Sequence, residues 1–381
     1  AYARFGHPAT TPLVEIDRNL FVLELFHGPT LAFKDVAMQL LARLMDHVLE
    51  KRGERATIVG ATSGDTGSAA IEAFKDSPHA NIVILHPKGR VSDVQRRQMT
   101  TPADANVHAL AIAGDFDDAQ ARVKDMFNDH AFRDAVGLAG VNSINWARVL
   151  AQVVYYFYAA LALGAPARRV NFTVPTGNFG DIFAGYIAQQ MGLPIGKLII
   201  ASNRNDILTR AVATSVYEQK GVSASLSPSM DIDISSNFER LLFDLHGRDG
   251  KAMAQRMETF RTTKSLALSP AQHADFTALF AAHKTDDTAT LAQIKKTYTT
   301  CGYLLDPHTA VGVAATEALR LGGPTVTLAT AHPAKFPDAV RDATGLTPPL
   351  PAHLADLNDR PERITRMGNS ADALKQLIAK L

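Results

Sequence analysis

The sequence contains a single cysteine, no long apolar run and no excess of charge of either sign. The lone Cys301 excludes an internal disulfide framework and is typical of a protein from a reducing compartment. The apolar runs are far shorter than the roughly 18–20 residues of a membrane span, and no secretory or transit segment is recognisable. Lys plus Arg number 39 against 38 for Asp plus Glu, so the formal charge of +1 creates no field that would attract nucleic acid. These absences favour a cytoplasmic, enzyme-like protein.

The residues that are present predict an α/β fold. At 381 residues, of which 46% are hydrophobic, the chain is long for one compact core, so two domains are expected. Strand-like and helical patterns alternate along most of the chain, as in parallel sheets that are covered on both faces. The predicted strands are 57–61, 81–85, 107–112, 170–174, 197–201 and 325–329. The predicted helices are 67–74, 117–127, 145–163, 182–191, 238–245, 271–283, 288–298 and 371–381.

The order of these elements predicts how the chain divides into domains. We expect residues 50–150 to form a small α/β domain. Residues 1–49 and 151–381 are expected to form a larger one, with a mainly helical insertion between about 205 and 300, where strand signals fade.

The segment 25–35 (LFHGPTLAFKD) places a lysine between an apolar run and a helical pattern. Lys34 follows a Gly-Pro turn and stands beside Phe33, so we expect it to be held stiffly in apolar surroundings. Such burial lowers the pKa of an ammonium, and the neutral amine is the form that attacks a carbonyl to make a Schiff base. The alternative is an exposed lysine in the first turn of a helix, which is the usual situation of a lysine considered alone.

Two glycine-containing loops each connect a predicted strand to a predicted helix. In 174–181 (VPTGNFGD), converging backbone amides and a helix N-terminus predict a phosphate site that needs no lysine. The loop matches no nucleotide-binding pattern, and a purely structural turn is the alternative. In 61–68 (ATSGDTGS), hydroxyls and amides at a helix start can hold a carboxylate, or can simply cap the helix. The candidate ligand contacts in this second loop are Thr62, Ser63, Asp65, Thr66 and Gly67.

Further polar residues follow the other predicted elements. Thr330 comes directly after the strand 325–329, at the strand end where open α/β sheets bind ligands. Its neutral hydroxyl could contact a ring nitrogen, although a bond to the backbone is the simpler alternative. Lys335 follows as a candidate anion contact, and the segment 142–148 (NSINWAR) precedes a long apolar helix, where capping is the alternative role.

An amine nucleophile, a phosphate loop, a carboxylate loop and a neutral hydroxyl are the parts required to hold pyridoxal phosphate and an amino acid. The segments 27–35, 61–67, 175–181 and 330–336 (TAHPAKF) resemble, in this order, the threonine synthase family. The segments 87–92 (PKGRVS) and 306–310 (DPHTA) resemble that family as well. Four ordered segments spread over most of the chain make the resemblance specific.

The resemblance implies a tryptophan-synthase-β-like fold, which is fold type II of the pyridoxal-phosphate enzymes, with two parallel-sheet α/β domains. It implies that Lys34 forms the Schiff base and that Thr330 meets the pyridine nitrogen. Family members usually carry a helical N-terminal region before a position such as Ala1, so we expect that region to be missing here. Many relatives of the wider fold have asparagine where Asp65 stands, whereas aspartate fits this subtype. The residues implied around the cofactor phosphate are Gly177, Asn178, Phe179, Gly180 and Asp181.

The reaction implied by the resemblance converts O-phospho-L-homoserine and water to L-threonine and phosphate, by γ-elimination and β-addition of water. Lys34 would serve as the base that moves protons at Cα and Cβ. No nucleic acid or membrane partner is expected, and the protein is expected to be a monomer or homodimer. The candidate contacts of the substrate phosphate are Lys335 and Arg148 with Asn142 and Ser143, and the second choice is Lys88 and Arg90.

Two alternative functions remain open on the sequence alone. One is another lyase on the same scaffold, either a phosphohomoserine lyase that releases 2-oxobutyrate or a serine/threonine dehydratase. The other is a catalytically silent protein that binds pyridoxal phosphate. Asp65 and the segment 332–335 favour the synthase.

Overall fold

The structure is a computed structural model that describes residues 1–62, 64–89 and 91–381. Its strands are β1 (Leu13–Asp17), β2 (Leu20–Glu24), β3 (Ala56–Ala61), β4 (Ala80–Pro87), β5 (Val107–Ile112), β6 (Leu138–Gly140), β7 (Val170–Pro175), β8 (Ile195–Ser202), β9 (Val216–Glu218), β10 (Ser265–Ala267), β11 (Phe280–Lys284), β12 (Thr325–Ala329) and β13 (Thr365–Met367). Its α-helices are α1 (Lys34–Arg52), α2 (Asp65–Phe74), α3 (Asp93–Thr100), α4 (Phe116–Asn128), α5 (His130–Ala135), α6 (Trp146–Ala162), α7 (Gly180–Gln190), α8 (Ile207–Thr214), α9 (Phe238–Leu245), α10 (Gly250–Thr263), α11 (Pro270–Leu279), α12 (Asp287–Cys301), α13 (Pro307–Leu319), α14 (Pro337–Thr344) and α15 (Ala371–Ile378). Short 3₁₀ helices span Pro228–Met230, Pro333–Lys335 and Ala352–Leu354.

The chain divides into two compact units. Unit 1 contains Ala1–Thr10, Phe26–Arg148 and Pro349–Leu381, and unit 2 contains Thr11–Leu25 and Val149–Pro348. This division differs from the sequence-based one, which assigned the whole of 1–49 and the C-terminal stretch to the larger domain. Helix α1 belongs to unit 1 because Met38 and Leu41 pack into the same hydrophobic core as α2. Strand β13 belongs there because it pairs with β5.

Unit 1 is built on a five-stranded parallel sheet in the order β13-β5-β4-β3-β6. Side chains of β4 alternate between the two faces, so Ile82 and Ile84 pack with α1, α2 and α3. Val83 and Leu85 pack on the opposite face with α4 and α15. Because both faces are covered, β4 consists almost entirely of buried residues, as is typical of a parallel sheet.

Unit 2 is built on a six-stranded sheet in the order β1-β2-β12-β7-β8-β11. Strand β1 pairs with β2 in an antiparallel hairpin, and the other pairings are parallel. All six residues of β7 are buried. Helix α13 packs on the sheet through Val311 and Ala315, which share a core cluster with Ile199 and Ala201 of β8. A separate two-stranded ribbon pairs β9 with β10.

The structure contains the alternating elements predicted from the sequence, with one clear error. The prediction of a helix over 271–283 is wrong for its last residues, because α11 ends at Leu279 and β11 begins at Phe280. Strand β11 forms the edge of the large sheet by pairing with β8, from Phe280 against Leu198 to Lys284 against Ser202. A short apolar run that follows a helix cannot be distinguished from its continuation by periodicity, so the pairing decided the outcome.

Within the described residues, no helix is both long enough and apolar enough to cross a membrane.

Candidate active site

The loop between β7 and α7 in unit 2 has the geometry of an anion site. Helix α7 begins at Gly180, and its N-cap residue Phe179 has a left-handed backbone with φ of 63°. That conformation is unusual for a bulky residue, and the surrounding structure must maintain it. The Phe179 ring is 1% exposed and packs against Phe183, Phe238 and Phe280. This packing fixes the left-handed turn at the start of α7, where the first amides of the helix have no partner within it.

The segment that precedes α9 holds this loop through its carbonyl groups. Oγ of Ser235 donates to the carbonyl oxygen of Gly177 at 2.6 Å. The backbone N–H and Nδ2 of Asn237 both donate to the carbonyl oxygen of Asn178, each at 3.0 Å. A Cβ atom at Gly177 would lie 2.7 Å from the carbonyl oxygen of Ser229, so only glycine fits there. These bonds fix the conformation of the loop.

The Asp181 side chain serves as an anchor of α7. Its Oδ1 accepts hydrogen bonds from the hydroxyls of Tyr155 and Tyr156 on α6, and the Tyr156 hydroxyl also donates to the Asp181 carbonyl oxygen at 2.8 Å. Burial raises the pKa of Tyr156 well above its usual range, so its hydroxyl remains a donor. These bonds tie the first turn of α7 to α6. The predicted contact of Asp181 with the cofactor phosphate stays a prediction.

Thr330 lies beside this loop at the same edge of the unit 2 sheet. Strand β12 pairs with β7 in the register Thr325 against Asn171 and Thr327 against Thr173. Continuing that register brings Thr330 next to Thr176. Because β8 lies on the other side of β7, these two strand ends form a switch point, where α/β sheets bind ligands. The structure thus brings together the phosphate loop and the hydroxyl that were predicted from distant segments.

Lys34 in unit 1 is the first residue of α1 and is 9% exposed. Its Nζ lies 5.0 Å from the centroid of the Phe33 ring, a cation–π distance. The turn before it is fixed by Asp35, which accepts hydrogen bonds from the backbone N–H and the hydroxyl of Thr30, both at 2.8 Å. The alternative of a solvent-exposed lysine is therefore excluded. The stiff, buried position expected from the sequence is present.

The charge environment of Lys34 differs from the apolar surroundings that the sequence suggested. Nζ of Lys34 lies 3.1 Å from Oδ2 of Asp65, and both side chains are buried. Burial favours a neutral amine, whereas a carboxylate at this distance favours the ammonium. Asp65 was predicted to contact substrate, and the structure places it directly against the lysine.

The remainder of the loop between β3 and α2 is organised by Thr62. Oγ1 of Thr62 accepts hydrogen bonds from the backbone N–H groups of Gly64 and Gly67, each at 2.9 Å. Thr62 is buried, whereas Thr66 is partly exposed at the start of α2. Ser63 lies outside the described residues. The structure therefore supports a capping role for the Thr62 hydroxyl, and the predicted substrate contact of this loop stays a prediction.

Asn142 and Ser143 follow β6, the strand that pairs with β3. Strand β6 pairs with β3 in the register Thr57 against Leu138 and Val59 against Gly140, which places Asn142 beside Ala61 when it is continued. Strands β4 and β6 flank β3 on opposite sides, so this edge is the switch point of unit 1.

The candidate cations for the substrate phosphate differ in their exposure to solvent. Arg148 is 4% exposed, and its Nη1 donates to the carbonyl oxygen of Val141 at 3.3 Å. Lys335 ends the 3₁₀ helix Pro333–Lys335 and is fully buried. Lys88 is exposed, and Arg90 lies outside the described residues.

Sequence reasoning missed several residues that shape these two edges. In unit 2 they are the loop anchors Ser235 and Asn237 and the tyrosine pair on α6. In unit 1 the missed residue is Gln95, whose Nε2 donates to Oδ1 of Asp65 at 2.8 Å. A signal existed for Gln95, since serine at position 92 followed by glutamine three residues later is a capping-box pattern. That pattern predicts a helix start but does not reveal the partner 30 residues earlier.

The donor groups fit pyridoxal phosphate. A buried lysine amine suits an aldehyde, and a helix N-terminus suits a phosphate dianion. A strand-end threonine hydroxyl suits an unprotonated ring nitrogen. A family model described as pyridoxal-phosphate dependent enzyme matches residues 5–284. The fold and these sites define the chain as a pyridoxal-phosphate enzyme of fold type II.

Comparison with individual relatives narrows the class further. A second family model, described as the C-terminal part of threonine synthase, matches residues 309–378. Threonine synthase of Pseudomonas aeruginosa is 55% identical over 382 residues, covering 100% of this chain and 81% of that relative. The crystal structure of pyridoxal-phosphate-bound threonine synthase from Brucella melitensis has a TM-score of 0.97 at 58% identity, covering 100% and 82% of the two chains. The yeast threonine synthase structure has a TM-score of 0.93 at 40% identity, covering 100% and 83%. The chain belongs to the threonine synthase family.

Proposed function

We propose that this chain uses pyridoxal phosphate to convert O-phospho-L-homoserine and water to L-threonine and phosphate. The observation that carries the proposal is the buried Lys34, held at the start of α1 and paired with Asp65, in a chain whose relatives are threonine synthases. A scaffold or nucleic-acid function would not require a buried, rigidly positioned amine. The reaction is the last step of threonine biosynthesis and makes the protein a carbon–oxygen lyase that acts on phosphate.

The proposed function gives each of these residues a separate role. Bound pyridoxal phosphate supplies an electron sink for the carbon atoms of an attached amino acid. Lys34 would hold the cofactor through its amine and would serve as the base that takes the proton from Cα of the substrate and assists the proton transfer from Cβ. Thr330 meets the ring nitrogen as a neutral partner. Backbone amides of residues 177–180 bind the cofactor phosphate, while Asp181 keeps α7 in place.

The substrate contacts are part of the same proposal. Amides and hydroxyls of the loop 62–67 bind the substrate carboxylate, supported by the N-terminus of α2. For the substrate phosphate we propose Lys335 and Arg148, assisted by Asn142 and Ser143. Their support is the burial of both cations, since a desolvated cation binds a phosphate more strongly than an exposed one. The exposed Lys88, with Arg90, stays the second choice.

A single assay tests the function. The protein is mixed with pyridoxal phosphate and O-phospho-L-homoserine, and threonine, inorganic phosphate and 2-oxobutyrate are measured together. We expect threonine and phosphate in equal amounts. Phosphate with 2-oxobutyrate would instead indicate the lyase alternative, and protein that binds the cofactor but releases no phosphate would indicate the silent one.

The cellular setting completes the proposal. We propose a cytoplasmic protein that is a monomer or a homodimer, since a biosynthetic reaction on small, charged metabolites requires neither a membrane nor a macromolecular partner. Analytical ultracentrifugation of the purified chain tests the oligomeric state, and a tetramer or larger assembly would contradict it.

A further inference from the structure

A third residue, Gln95, contacts the ion pair formed by Lys34 and Asp65. We propose that Gln95 is a positioning residue, which keeps the Asp65 carboxylate aligned on Nζ of Lys34 so that the lysine can hold a proton between two transfers. The inference rests on the proposed function, because only a lysine that carries protons during turnover benefits from a fixed counter-charge.

The two oxygens of Asp65 are held from different directions. Nζ of Lys34 contacts Oδ2 at 3.1 Å, and Nε2 of Gln95 donates to Oδ1 at 2.8 Å. Asp65 is 5% exposed and Gln95 is 3% exposed. Hydrogen bonds in such buried surroundings are stronger than in water, and two donors on separate oxygens fix the plane of the carboxylate. Gln95 therefore contributes to fixing which oxygen faces the lysine.

Gln95 is itself fixed at the start of α3. Oγ of Ser92, the N-cap residue, donates to Oε1 of Gln95 at 3.0 Å and accepts from its backbone N–H at 3.4 Å. The amide also packs against Gly64, where a Cβ atom would lie 2.4 Å from the Gln95 side chain. The Ser92 bond directs Oε1 away from Asp65 and leaves the amide donor for the carboxylate. Any side chain at position 64 would displace this arrangement.

The Asp65 carboxylate should favour proton transfer to Lys34 and disfavour attachment of the cofactor to Lys34. An oriented carboxylate stabilises the Lys34 ammonium, which forms when the amine takes a proton from Cα. The same carboxylate disfavours the neutral amine, which is the form that attacks the aldehyde of the cofactor. Weakening the Gln95 contact should therefore slow proton transfer and accelerate attachment of the cofactor. A loss of general structural integrity would slow both steps.

The test is Gln95→Leu, which preserves the approximate size of the side chain and removes its donor. Apoenzyme is mixed with pyridoxal phosphate near neutral pH, and attachment is followed by the rise of visible absorbance. We expect attachment about threefold faster and kcat about tenfold lower, as for the loss of one charge-assisted hydrogen bond. We also expect the acid limb of the kcat profile to move to lower pH, because a lysine with a weaker counter-charge loses its proton more readily.

The matched control is Gln39→Leu, the same substitution in α1. Gln39 is 1% exposed, and its Nε2 has no hydrogen-bond partner among the described residues. Both rates and the pH profile should stay at wild-type values in this variant. A second variant, Ser92→Ala, removes the anchor of Gln95 but retains its amide, and smaller changes of the same two signs are expected.

Two results would overturn the proposal. One is a parallel fall of attachment rate and kcat in Gln95→Leu, which would indicate a structural role only. The other is no change in either rate. The attachment measurement needs no turnover, so it decides the role of Gln95 even if wild-type protein forms no threonine and the proposed function fails.

Discussion

The two strand–loop–helix junctions, β3 to α2 and β7 to α7, have the same architecture, but the aspartate in the first turn of each helix has different partners. Each lies at the switch point of its sheet, and each ends at a helix N-terminus. In unit 1 the junction carries ionisable side chains, with Asp65 paired to Lys34. In unit 2 it carries backbone amides, and the Asp181 carboxylate in its first turn is bonded to tyrosines.

The difference matches the roles that we propose for the two junctions. A phosphate dianion that stays bound requires fixed dipoles, and a helix N-terminus supplies them without a change of protonation. A proton carrier requires a group whose charge changes during the reaction and a partner that stabilises its protonated form. Under the proposed function, the same supersecondary unit would bind a static phosphate in one unit and would handle protons in the other.

We expect the largest effect on activity from a substitution of Lys34, in unit 1. Lys34→Ala removes the amine that both holds the cofactor and moves protons, so turnover should fall by roughly 10⁴-fold or more. The visible absorbance of protein mixed with pyridoxal phosphate should disappear. Lys51→Ala, in the last turn of the same helix, is the control. Retained absorbance in the Lys34 variant would remove this residue from its role.

Gly177→Ala tests the claim that the unit 2 junction acts through its backbone shape. The new Cβ would lie 2.7 Å from the Ser229 carbonyl oxygen, which belongs to the backbone and cannot turn aside. Overpacking of this kind costs about 1–3 kcal/mol, so the dissociation constant of pyridoxal phosphate should rise by roughly tenfold to 100-fold. In the control Gly250→Ala, on α10, the new Cβ would have no atom within 4 Å, so the dissociation constant should not change. Equal affinities for the two variants would contradict the cradle.

Lys335→Ala tests whether the substrate phosphate and the cofactor phosphate are bound by different residues. If the buried Lys335 binds the substrate phosphate, KM for phosphohomoserine should rise by about tenfold or more, while pyridoxal phosphate stays bound. The exposed Lys251, replaced by Ala, serves as the control for loss of a positive charge. An unchanged KM would assign the phosphate to other cations.

The smallest effect is expected from Asn237→Ala, which removes one of the two hydrogen bonds to the Asn178 carbonyl oxygen and retains the backbone one. The loss of one buried hydrogen bond costs about 1 kcal/mol, so cofactor affinity should fall by about fivefold, as measured by fluorescence titration of apoenzyme. Asn237→Asp retains the size of the side chain but not its donor, so its affinity for the cofactor should be no higher than that of Asn237→Ala. Wild-type affinity in both variants would show that Nδ2 does not support the loop.

Much of the architecture was accessible from the sequence because it depends on neighbouring residues. Strands β5 and β12 have the predicted bounds, and helix α9 does too, since alternation and amphipathic periodicity are local patterns. The family was correctly identified from four ordered motifs, as the relatives confirm. The burial of Lys34 was also expected from its local surroundings.

The partners of the site residues were not accessible in this way. Gln95 and Asp65 are separated by 30 positions, and Asn237 and Asn178 by 59. Which of them meet depends on strand order, on register and on the packing of helices between sheets. The membership of α1 in unit 1 has the same origin, because it depends on where a hydrophobic face is covered.

The sequence by itself therefore determined the family, the alternating elements and the amine around which the chemistry is proposed. Only the tertiary structure decided that this amine faces the Asp65 carboxylate, that Gln95 holds that carboxylate, and that β11 completes the large sheet. The physical reason is that backbone conformation follows from short-range sterics and periodicity. The charge environment of a buried group, by contrast, is set by side chains that folding brings from distant parts of the chain.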